Sequence, residues 1–400
     1  MPSKKIGLAL FYSNDNYGSA LQAYAIQRVL AEKGLEYEIV NYRKDKSLKT
    51  IGSYIPQLFI GFVLKRKIRL LLRSFLASFL KNDIADGVAK RHDAFVRFRN
   101  QYFVVSQSVL GWKSLQKKAI DYSMVLVGND QVWAPICLGQ HFFTLEWVPD
   151  SIKKFAYGSS FGVSEIPKIQ LKATKKYLKR IDSISVRENA GQRIVQDLIG
   201  KNVPVVLDAT MLYNAQEWES IAGADPIVSG KYIFCYFLGE NEDHRKFVRQ
   251  LQIKVGMKIV CMPHLNGFTK SDINFGDVTL YDIDPGQFIN LIKFSEYVCT
   301  DSYHATIFSI LHSRQFFNFK RYKSENGSIN SRLETLLMAL NLMSYQVDES
   351  IRLDDALALE RIDYKIVFEN LEKLRTQSFA FFDTVLQVNM SKKNFLDKDV

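Results

Sequence analysis

A histidine lies in a short polar segment, residues 300–306, between two apolar runs of the sequence. Residues 297–299 predict a buried strand, and residues 307–311 predict the buried face of the helix that follows. At such a junction the first N–H groups of the helix and the positive end of its dipole point to one spot, which favours an anionic ligand. Because an imidazole exchanges protons near neutral pH, His304 is placed to move a proton there. Helix capping is the structural alternative for this histidine.

Four further polar clusters each follow a predicted strand: residues 14–19, 128–133, 158–162 and 187–189. The carboxyl ends of parallel strands lie at one edge of a sheet, where open α/β folds bind their ligands. Taken singly, each cluster is also explained as a loop of turn-forming residues. Together with residues 301–304, they favour the wall of a cleft.

Apolar runs alternate with helical periodicities along the chain, which predicts an α/β fold of two Rossmann-like domains with a cleft between them. The predicted strands are 5–12, 37–41, 124–127, 155–159, 183–186, 203–207, 232–238, 258–262, 297–299 and 316–319. We expect an N-terminal domain over 1–220 with a basic helical insertion at about 43–110, and a C-terminal domain over 221–345. A helical tail over 346–400 is expected to pack across both. The sequence contains neither a G-x-G-x-x-G nor a P-loop motif, so dinucleotide or ATP chemistry has little support.

The composition is that of an ordinary globular protein, with 47% hydrophobic and 24% charged residues in a chain of 400. The first apolar run, residues 6–12, is too short for a signal peptide and predicts a strand instead. No uninterrupted stretch approaches the roughly 20 apolar residues that a membrane span needs. The four cysteines, Cys137, Cys235, Cys261 and Cys299, show no C-x-x-C spacing. We therefore expect reduced thiols and a cytoplasmic location.

The net charge of +11 is concentrated in one region. Residues 43–99 contain fourteen Lys or Arg, four Asp and no Glu, which is a net charge of +10. Within this region, residues 51–80 are apolar and basic, a pattern typical of helices that lie on anionic membranes. Peripheral attachment to the inner face of the membrane is one hypothesis, and a helical cover on the sheet is the other. No nucleic-acid-binding motif accompanies the basic residues, so we expect no nucleic-acid partner.

Six segments resemble motifs of the polysaccharide pyruvyl transferase family. In chain order they are residues 16–24 (the opening of the family), 128–133 (its G-S-D-Q-V-W), 157–162 (Y-A-A-S-F-G), 185–188 (S-V-R-E), 207–210 (L-D-P-T) and 300–304 (the T-D-S-F-H-G block). The sequence departs from these motifs at Asn129, Gly158, Ala209 and Ala305. Ala305 replaces a usual glycine, and its methyl group would narrow the site slightly.

The resemblance implies a fold similar to the two-domain GT-B glycosyltransferases, with the acceptor on the N-terminal side and the donor on the C-terminal side. It implies transfer of the pyruvyl unit of phosphoenolpyruvate to a sugar of a cell-surface polysaccharide or its lipid-linked precursor, giving a pyruvate ketal. Phosphoenolpyruvate is then the donor substrate, and no cofactor is expected. No metal-ligand spacing accompanies the motifs. The alternatives are a glycosyltransferase that uses a nucleotide sugar, and a non-catalytic protein that binds sugar or nucleic acid.

The resemblance also suggests roles for individual residues. His304 would be the general acid, Arg187 would bind the donor anions, and Asp130 would bind or deprotonate a sugar hydroxyl. An ion pair with Glu188 or a neighbouring acid is the structural alternative for Arg187. The expected substrate-binding residues are Asp15, Asn16, Tyr17, Gly18, Asn129, Gln131, Trp133, Ser160, Glu188, Asp301 and Ser302.

Two of these substrate-binding candidates have explicit structural alternatives. Trp133 could stack on a sugar face, and burial in the core is the other explanation. Asp301 could orient His304, and capping of the following helix is the other explanation.

Overall fold

The computed structural model describes residues 5–45, 82–128, 130–137, 141–263, 270–272, 274–321, 331–347 and 353–386. Residues 46–81 lie outside this range, and with them the predicted membrane-binding segment 51–80. Asn129, one of the substrate-binding candidates, also lies outside it. None of the helices that the structure describes is long and apolar enough to cross a membrane.

Strands and helices alternate along the described chain. The strands are β1 (Ile6–Ala9), β2 (Tyr37–Ile39), β3 (Tyr42–Arg43), β4 (Val109–Leu110), β5 (Met124–Gly128), β6 (Lys153–Ser159), β7 (Ser183–Val186), β8 (Tyr232–Tyr236), β9 (Lys258–Cys261), β10 (Val278–Thr279), β11 (Tyr297–Thr300), β12 (Gln315–Phe319) and β13 (Gln346–Val347). The α-helices are α1 (Tyr17–Glu32), α2 (Asn82–Tyr102), α3 (Trp112–Ala119), α4 (Leu171–Leu178), α5 (Asn189–Ile199), α6 (Ala215–Ala222), α7 (Glu242–Val255), α8 (Pro285–Lys293), α9 (Tyr303–Leu311), α10 (Ser331–Ala339), α11 (Leu353–Ala358) and α12 (Tyr364–Leu386).

Two parallel sheets organise these elements. The first has the strand order β2-β1-β5-β6-β7, and the second has the order β10-β9-β8-β11-β12-β13. The strand pairs within both sheets are parallel. The predicted α/β class with two Rossmann-like sheets is therefore confirmed. The first sheet ends at Val186 and the second begins at Tyr232, so the predicted boundary at 220/221 falls between them and stays a prediction.

Local sequence explains several of these elements. The central strands are buried on both faces, as the continuous apolar runs in a parallel sheet require. Helix α8 begins with a capping box between Asp284 and Gln287 and has Pro285 at its first turn. The apolar run 203–207, predicted as a strand, forms only a single bridge between Val186 and Val205.

The two sheets share a continuous hydrophobic core, which includes Leu8 and Phe155 of the first and Phe234 and Val298 of the second. Tyr17, at the start of α1, stacks on Phe288 of α8 with ring centroids 4.6 Å apart. Its hydroxyl donates a hydrogen bond to the carbonyl of Ile283 at 2.9 Å. These contacts fix the beginning of α1 against the second sheet.

Helix α2 also joins the two halves, through a fully buried arginine. Arg91 is 0% exposed and donates three hydrogen bonds to backbone carbonyls, from Nε to Tyr281 at 3.1 Å, from Nη1 to Pro263 at 2.8 Å and from Nη2 to Leu280 at 3.1 Å. These acceptors flank β9 and β10 of the second sheet. The positive charge of Arg91 is thus covered by carbonyl oxygens in the core.

The C-terminal helix α12 begins beside the second sheet and ends on the first. The hydroxyl of Tyr364 donates a hydrogen bond to the carbonyl of Arg314. Farther along, the ring of Phe382 stacks on Tyr157 of β6 with centroids 4.1 Å apart. The hydroxyl of Ser378 accepts a hydrogen bond from the backbone of Leu207 at 2.9 Å. The expected C-terminal helical tail is therefore present.

Candidate functional site

The candidate site lies where loops at the carboxyl ends of both sheets approach each other. Gly18 of α1 and His304 of α9 are in direct contact, and a Cβ atom built on Gly18 would overlap the imidazole. A glycine is needed there because any side chain would occupy the space of the ring. Two candidates that lie far apart in the sequence therefore belong to one site.

His304 lies in the first turn of α9, as the apolar pattern around it predicts. Ser302 is the N-cap residue, and its hydroxyl accepts a hydrogen bond from the backbone of Ala305 at 3.4 Å. His304 therefore does not cap the helix. Its side chain is buried, and its Nε2 atom lies 3.7 Å from Oδ2 of Asp208 and forms no hydrogen bond with any described residue. An imidazole held beside a carboxylate with an unbonded nitrogen suits proton transfer.

Asp208 is the central carboxylate of the cluster and was not among the predicted site residues. Its Oδ2 accepts a hydrogen bond from Nη1 of Arg187 at 2.5 Å and another from the side chain of Gln22. Its Oδ1 accepts hydrogen bonds from the hydroxyl of Thr210 at 2.7 Å and from the backbone of the same residue at 3.1 Å. Burial alone would raise the pKa of Asp208, but His304, Arg187 and Thr210 outweigh burial and hold this pKa far below its usual range. Asp208 is therefore ionised and positions both His304 and Arg187.

Arg187 is buried and forms ion pairs with neighbouring acids, as the structural alternative for it holds. Besides Asp208, its Nη2 donates to Oδ1 of Asp130 at 3.3 Å, whereas its Nε lies 4.0 Å from Oε2 of Glu188. Within the described part of the chain, Nε of Arg187 has no hydrogen-bond partner. Burial alone would lower the pKa of Arg187. The carboxylates of Asp208, Asp130 and Glu188 oppose burial, and the pKa lies above its usual value. The side chain is a permanent cation, and its Nε–H group is left for a ligand.

Asp130 follows β5 and adopts a left-handed backbone with φ of 52°. Asp tolerates this conformation better than most residues. Its Oδ2 accepts a hydrogen bond from the hydroxyl of Ser19 at 2.8 Å. Burial would raise the pKa of Asp130, but the charges of Arg187, Arg332 and His304 lower it below its usual value. Asp130 is thus an ionised carboxylate between the two halves of the molecule.

Arg332 is a second arginine of the site that the sequence did not point to. It belongs to α10, and its Nη1 lies 3.7 Å from Oδ1 of Asp130. Its guanidinium lies over the ring of Tyr303, 5.3 Å from the centroid. Burial and the positive charge of Arg187 lower the pKa of Arg332 to about 10. Since α10 carries no recognised motif, no sequence signal distinguished this arginine from a surface residue.

Glu188 connects the loops after β6 and β7. Its Oε1 accepts hydrogen bonds from the hydroxyl of Ser160 at 2.9 Å and from the backbone of Phe161 at 3.0 Å. Burial raises the pKa of Glu188 in spite of the neighbouring arginines. Two predicted candidates, Glu188 and Ser160, are thus bonded to each other beside Arg187.

The candidates that precede α1 bind protein groups. Asn16 is the N-cap residue of α1, and its side chain accepts a hydrogen bond from the backbone of Ser19 at 3.0 Å. Asp15 is bound by Nη1 of Arg99 at 2.9 Å and by Nδ1 of His92 at 2.7 Å. Both partners belong to α2, so this contact joins the loop after β1 to a helix of the predicted insertion at about 43–110.

The structure favours structural explanations for two other candidates. Trp133 is 0% exposed, and its indole N–H donates to the carbonyl of Phe143 at 3.1 Å, so it lies in the core and not on a sugar-binding surface. The carboxylate of Asp301 neither orients His304 nor caps α9. Instead, it accepts hydrogen bonds from the backbones of Leu238 and Gly239, both at 2.7 Å. Asp301 therefore holds the loop after β8.

Gln131 packs closely against Gly162 in the loop after β6. A Cβ atom built on Gly162, which has φ of 63°, would lie 2.7 Å from the side-chain amide of Gln131. Gly162 is therefore required both for its left-handed backbone and for the space of its neighbour.

Five buried polar atoms of this cluster have no hydrogen-bond partner within the described residues. They are Oε1 of Gln22, Nε of Arg187, Oε2 of Glu188, Nε2 of His304 and Nε of Arg332. Buried polar groups are otherwise almost always paired, so such a concentration marks a ligand site. Two guanidinium groups, an imidazole and the N-terminus of α9 suit an anion whose reaction includes a proton transfer. In the described part of the chain, no three or more His, Cys, Asp or Glu side chains form a group that could hold a metal ion.

Comparison with known proteins gives a family and a fold. The family model for polysaccharide pyruvyl transferase matches residues 16–322. Among solved structures, the UDP-GlcNAc 2-epimerase of Methanocaldococcus jannaschii is similar, with a TM-score of 0.53 and 7% identity over 94% of this chain and 99% of that one. The MnaA–UDP structure from S. aureus has a TM-score of 0.51 and 13% identity, over 96% and 98% of the two chains. A comparison with curated protein sequences finds no significant match. At these identities the solved structures establish the fold alone, and they confirm the GT-B-like architecture.

Proposed function

The chain belongs to the polysaccharide pyruvyl transferase family, and on this premise we propose that it transfers pyruvyl from phosphoenolpyruvate to a sugar. The acceptor would be a sugar of a cell-surface polysaccharide or of its lipid-linked precursor, and the product a pyruvate ketal. The observation that carries the proposal is the contact of His304 and Arg187 with one buried carboxylate, Asp208. This contact brings an acid and an anion-binding group together beside Gly18.

The donor would bind at the N-terminus of α9. Phosphoenolpyruvate carries a carboxylate and a phosphate, which planar guanidinium groups and oriented N–H groups recognise. Arg187 offers its unbonded Nε atom, and Tyr303 and His304 contribute the first backbone N–H groups of the helix. The ionised Asp208 accepts a hydrogen bond from Nη1 of Arg187 and so fixes the direction of the guanidinium.

The reaction requires a proton at the methylene carbon of the donor. Protonated His304 would donate it, which leaves an oxocarbenium-like centre at the adjacent carbon. The carboxylate of Asp208, 3.7 Å from Nε2 of His304, would hold the imidazole in position beside the donor. His304 regains a proton when the first sugar hydroxyl adds to this carbon.

Departure of phosphate completes the ketal. The C–O bond to phosphate breaks with its electron pair on the phosphate oxygen, and the second hydroxyl bonds to the same carbon. In total the methylene group gains one proton, the two hydroxyls lose one each, and the released phosphate carries the other. Asp130 is assigned to the acceptor side, where its carboxylate would accept a hydrogen bond from a sugar hydroxyl. Its lowered pKa makes it a weak base, which suits orientation of the hydroxyl.

The direct test is incubation with phosphoenolpyruvate and a panel of nitrophenyl or lipid-linked glycosides, with detection of released phosphate and of the pyruvyl mass increment. His304→Gln should abolish both signals. His312→Gln is the matched control, because His312 is a second buried histidine at the end of the same helix and does not contact the site residues described above. Consumption of a nucleotide sugar without any use of phosphoenolpyruvate would contradict the proposal and favour a glycosyltransferase.

Access to a lipid-linked acceptor is a further part of the proposal. The sequence of residues 51–80 is basic and apolar, which suits attachment of a cytoplasmic protein to the anionic inner face of the membrane. The test is sedimentation with anionic vesicles after neutralisation of Lys65, Arg66, Lys67 and Arg69. Unchanged vesicle binding would contradict this attachment while leaving the pyruvyl transfer intact.

A further inference from the structure

Arg332 is a mostly buried cation that the proposed reaction does not yet use. It lies in α10, beyond residues 16–322 that match the family model. Its side chain is 13% exposed, its Nε has no hydrogen-bond partner among the described residues, and its contact with Asp130 is a loose 3.7 Å. Arg91 shows what a structural arginine looks like in the same protein. It is 0% exposed and donates from all three guanidinium nitrogens, at 3.1 Å or less.

Arg332 and Arg187 share their surroundings. Both guanidinium groups approach the same oxygen, Oδ1 of Asp130, at 3.7 Å and 3.3 Å. Both also lie over the ring of Tyr303, at 5.3 Å and 5.0 Å from its centroid. These two positive charges around one carboxylate oxygen repel each other, and a further anion bound between them would reduce this repulsion.

The position of the shared ring links this pair of arginines to the acid. Tyr303 precedes His304 in α9, and the two rings have centroids 5.2 Å apart. An anion between the arginines would therefore lie beside the N-terminus of α9 and near the imidazole. Planar guanidinium forks bind phosphate oxygens in pairs, which a single lysine-like charge does not do.

We propose that Arg332 is a substrate-binding residue that, together with Arg187, binds the phosphate group of the donor. The identification of that donor as phosphoenolpyruvate rests on the proposed function, whereas the phosphate site does not. Because Asp130 follows β5 of the first sheet and α10 lies between β12 and β13 of the second, the bound phosphate would also tie the two halves together. After transfer, the same pair of arginines would hold the released phosphate.

The test is calorimetric titration of the full chain with inorganic phosphate and, separately, with phosphoenolpyruvate. We expect Arg332→Gln to weaken binding of both ligands by about 10- to 100-fold, the range for a lost hydrogen bond to a charged group. Arg28→Gln is the matched control, since Arg28 also lies over a tyrosine ring, at 4.2 Å from the centroid of Tyr213, and pairs with Glu32. The Arg28→Gln variant should bind phosphate with the same affinity as the unmodified protein.

A double variant separates a shared ligand from two independent effects. If both arginines bind one phosphate, Arg187→Gln and Arg332→Gln together should weaken binding by less than the product of the single effects. Should Arg332→Gln fail to fold, Arg332→Lys replaces it, and several-fold weaker phosphate binding at an unchanged melting temperature is expected. Phosphate affinity equal to that of the unmodified protein, in a folded Gln or Lys variant, would overturn the proposal, as would absence of phosphate binding to the unmodified protein.

The turnover assay distinguishes this inference from the proposed function. Phosphate binding that depends on Arg332, without any pyruvyl transfer to the glycoside panel, would support the anion site and contradict the pyruvyl transferase reaction. Pyruvyl transfer with the same KM for phosphoenolpyruvate in Arg332→Gln as in the unmodified protein would support the reaction and overturn the role of Arg332.

Discussion

Gly18 lies directly against the imidazole of His304, so that the missing side chain of one residue makes room for the ring of the other. Gly18 belongs to the helix that follows the first strand of the first sheet, and His304 begins the helix after β11 of the second. The contact places the acid at the joint of the two halves. Its position therefore depends on how closely they pack.

Replacement of Gly18 by alanine tests this contact. The added methyl group would overlap the imidazole, so we expect His304 to shift and turnover to fall by about 100-fold, a typical cost of displacing a reacting group by about 1 Å. Gly87→Ala is the control, because Gly87 is also helical and its added Cβ would overlap the ring of Tyr281, which is not one of the site residues described above. Pyruvyl transfer at the normal rate by a folded Gly18→Ala variant would mean that the ring is not held there during catalysis.

Asp208 should matter for both stability and turnover. Its replacement by asparagine would leave the buried Arg187 without its closest counterion, a loss of about 3–5 kcal/mol in the free energy of unfolding. The same change would remove the carboxylate beside His304, so kcat should fall more than the loss of folded protein explains. Urea unfolding and kcat at saturating substrate would separate the two effects. A stable variant with normal kcat would show that Asp208 has no part in positioning the acid.

The stability of the protein in acid should reflect the same carboxylate. The pKa of Asp208 in the folded protein lies far below the value of about 3.9 for an unfolded chain. Below about pH 4 the unfolded chain therefore binds a proton that the folded protein does not, and the free energy of unfolding falls with decreasing pH. Urea midpoints between about pH 2.5 and 7 should decline less steeply for Asp208→Asn. The decline should not vanish, because the pKa of Asp130 is also lowered.

Arg91 is expected to stabilise the junction between α2 and the second sheet. In Arg91→Gln three buried carbonyls would lose their donors, at a cost of about 3 kcal/mol in the free energy of unfolding. Arg97→Gln is the control on the same helix, since its ion pair with Asp282 is mostly exposed and should contribute less than about 1 kcal/mol. Equal urea midpoints for the two variants would contradict the structural role of Arg91.

The burial of Trp133 leads to a prediction about the acceptor. Trp133→Phe would remove the donor to the carbonyl of Phe143 and should lower the free energy of unfolding by about 2 kcal/mol. The KM for the acceptor should not change, because the indole is fully buried. A large increase in this KM at normal stability would revive the stacking hypothesis.

Much of the fold followed from local patterns in the sequence. Long apolar runs such as β5 and β8 are buried on both faces, which makes them easy to recognise, and Asp284 with Pro285 marks the start of α8 clearly. The short edge strands β10 and β13 were not predicted, because two residues carry no periodicity. The run 203–207 reads as a strand, yet it makes a single bridge and leads instead to the turn at Asp208.

The site was predictable only where a residue followed a recognisable strand. His304 and Arg187 do so, and the structure brings both to Asp208. Asp208 itself stood within a matched segment without an assigned role, since a sequence does not show that one carboxylate binds several distant groups. Arg332 had no signal at all, because its place depends on how α10 packs against the carboxyl ends of the sheets.

The C-terminal helix has a consequence for how the chain acquires its structure. Phe382 covers Tyr157 and Phe155 of the first sheet. It lies near the end of α12, the last described helix, so it is synthesised after all the described strands. Until that helix emerges from the ribosome, the aromatic face of the first sheet is uncovered and prone to self-association. A fragment that ends after the second sheet should therefore aggregate, even though it contains all the residues assigned to the chemistry.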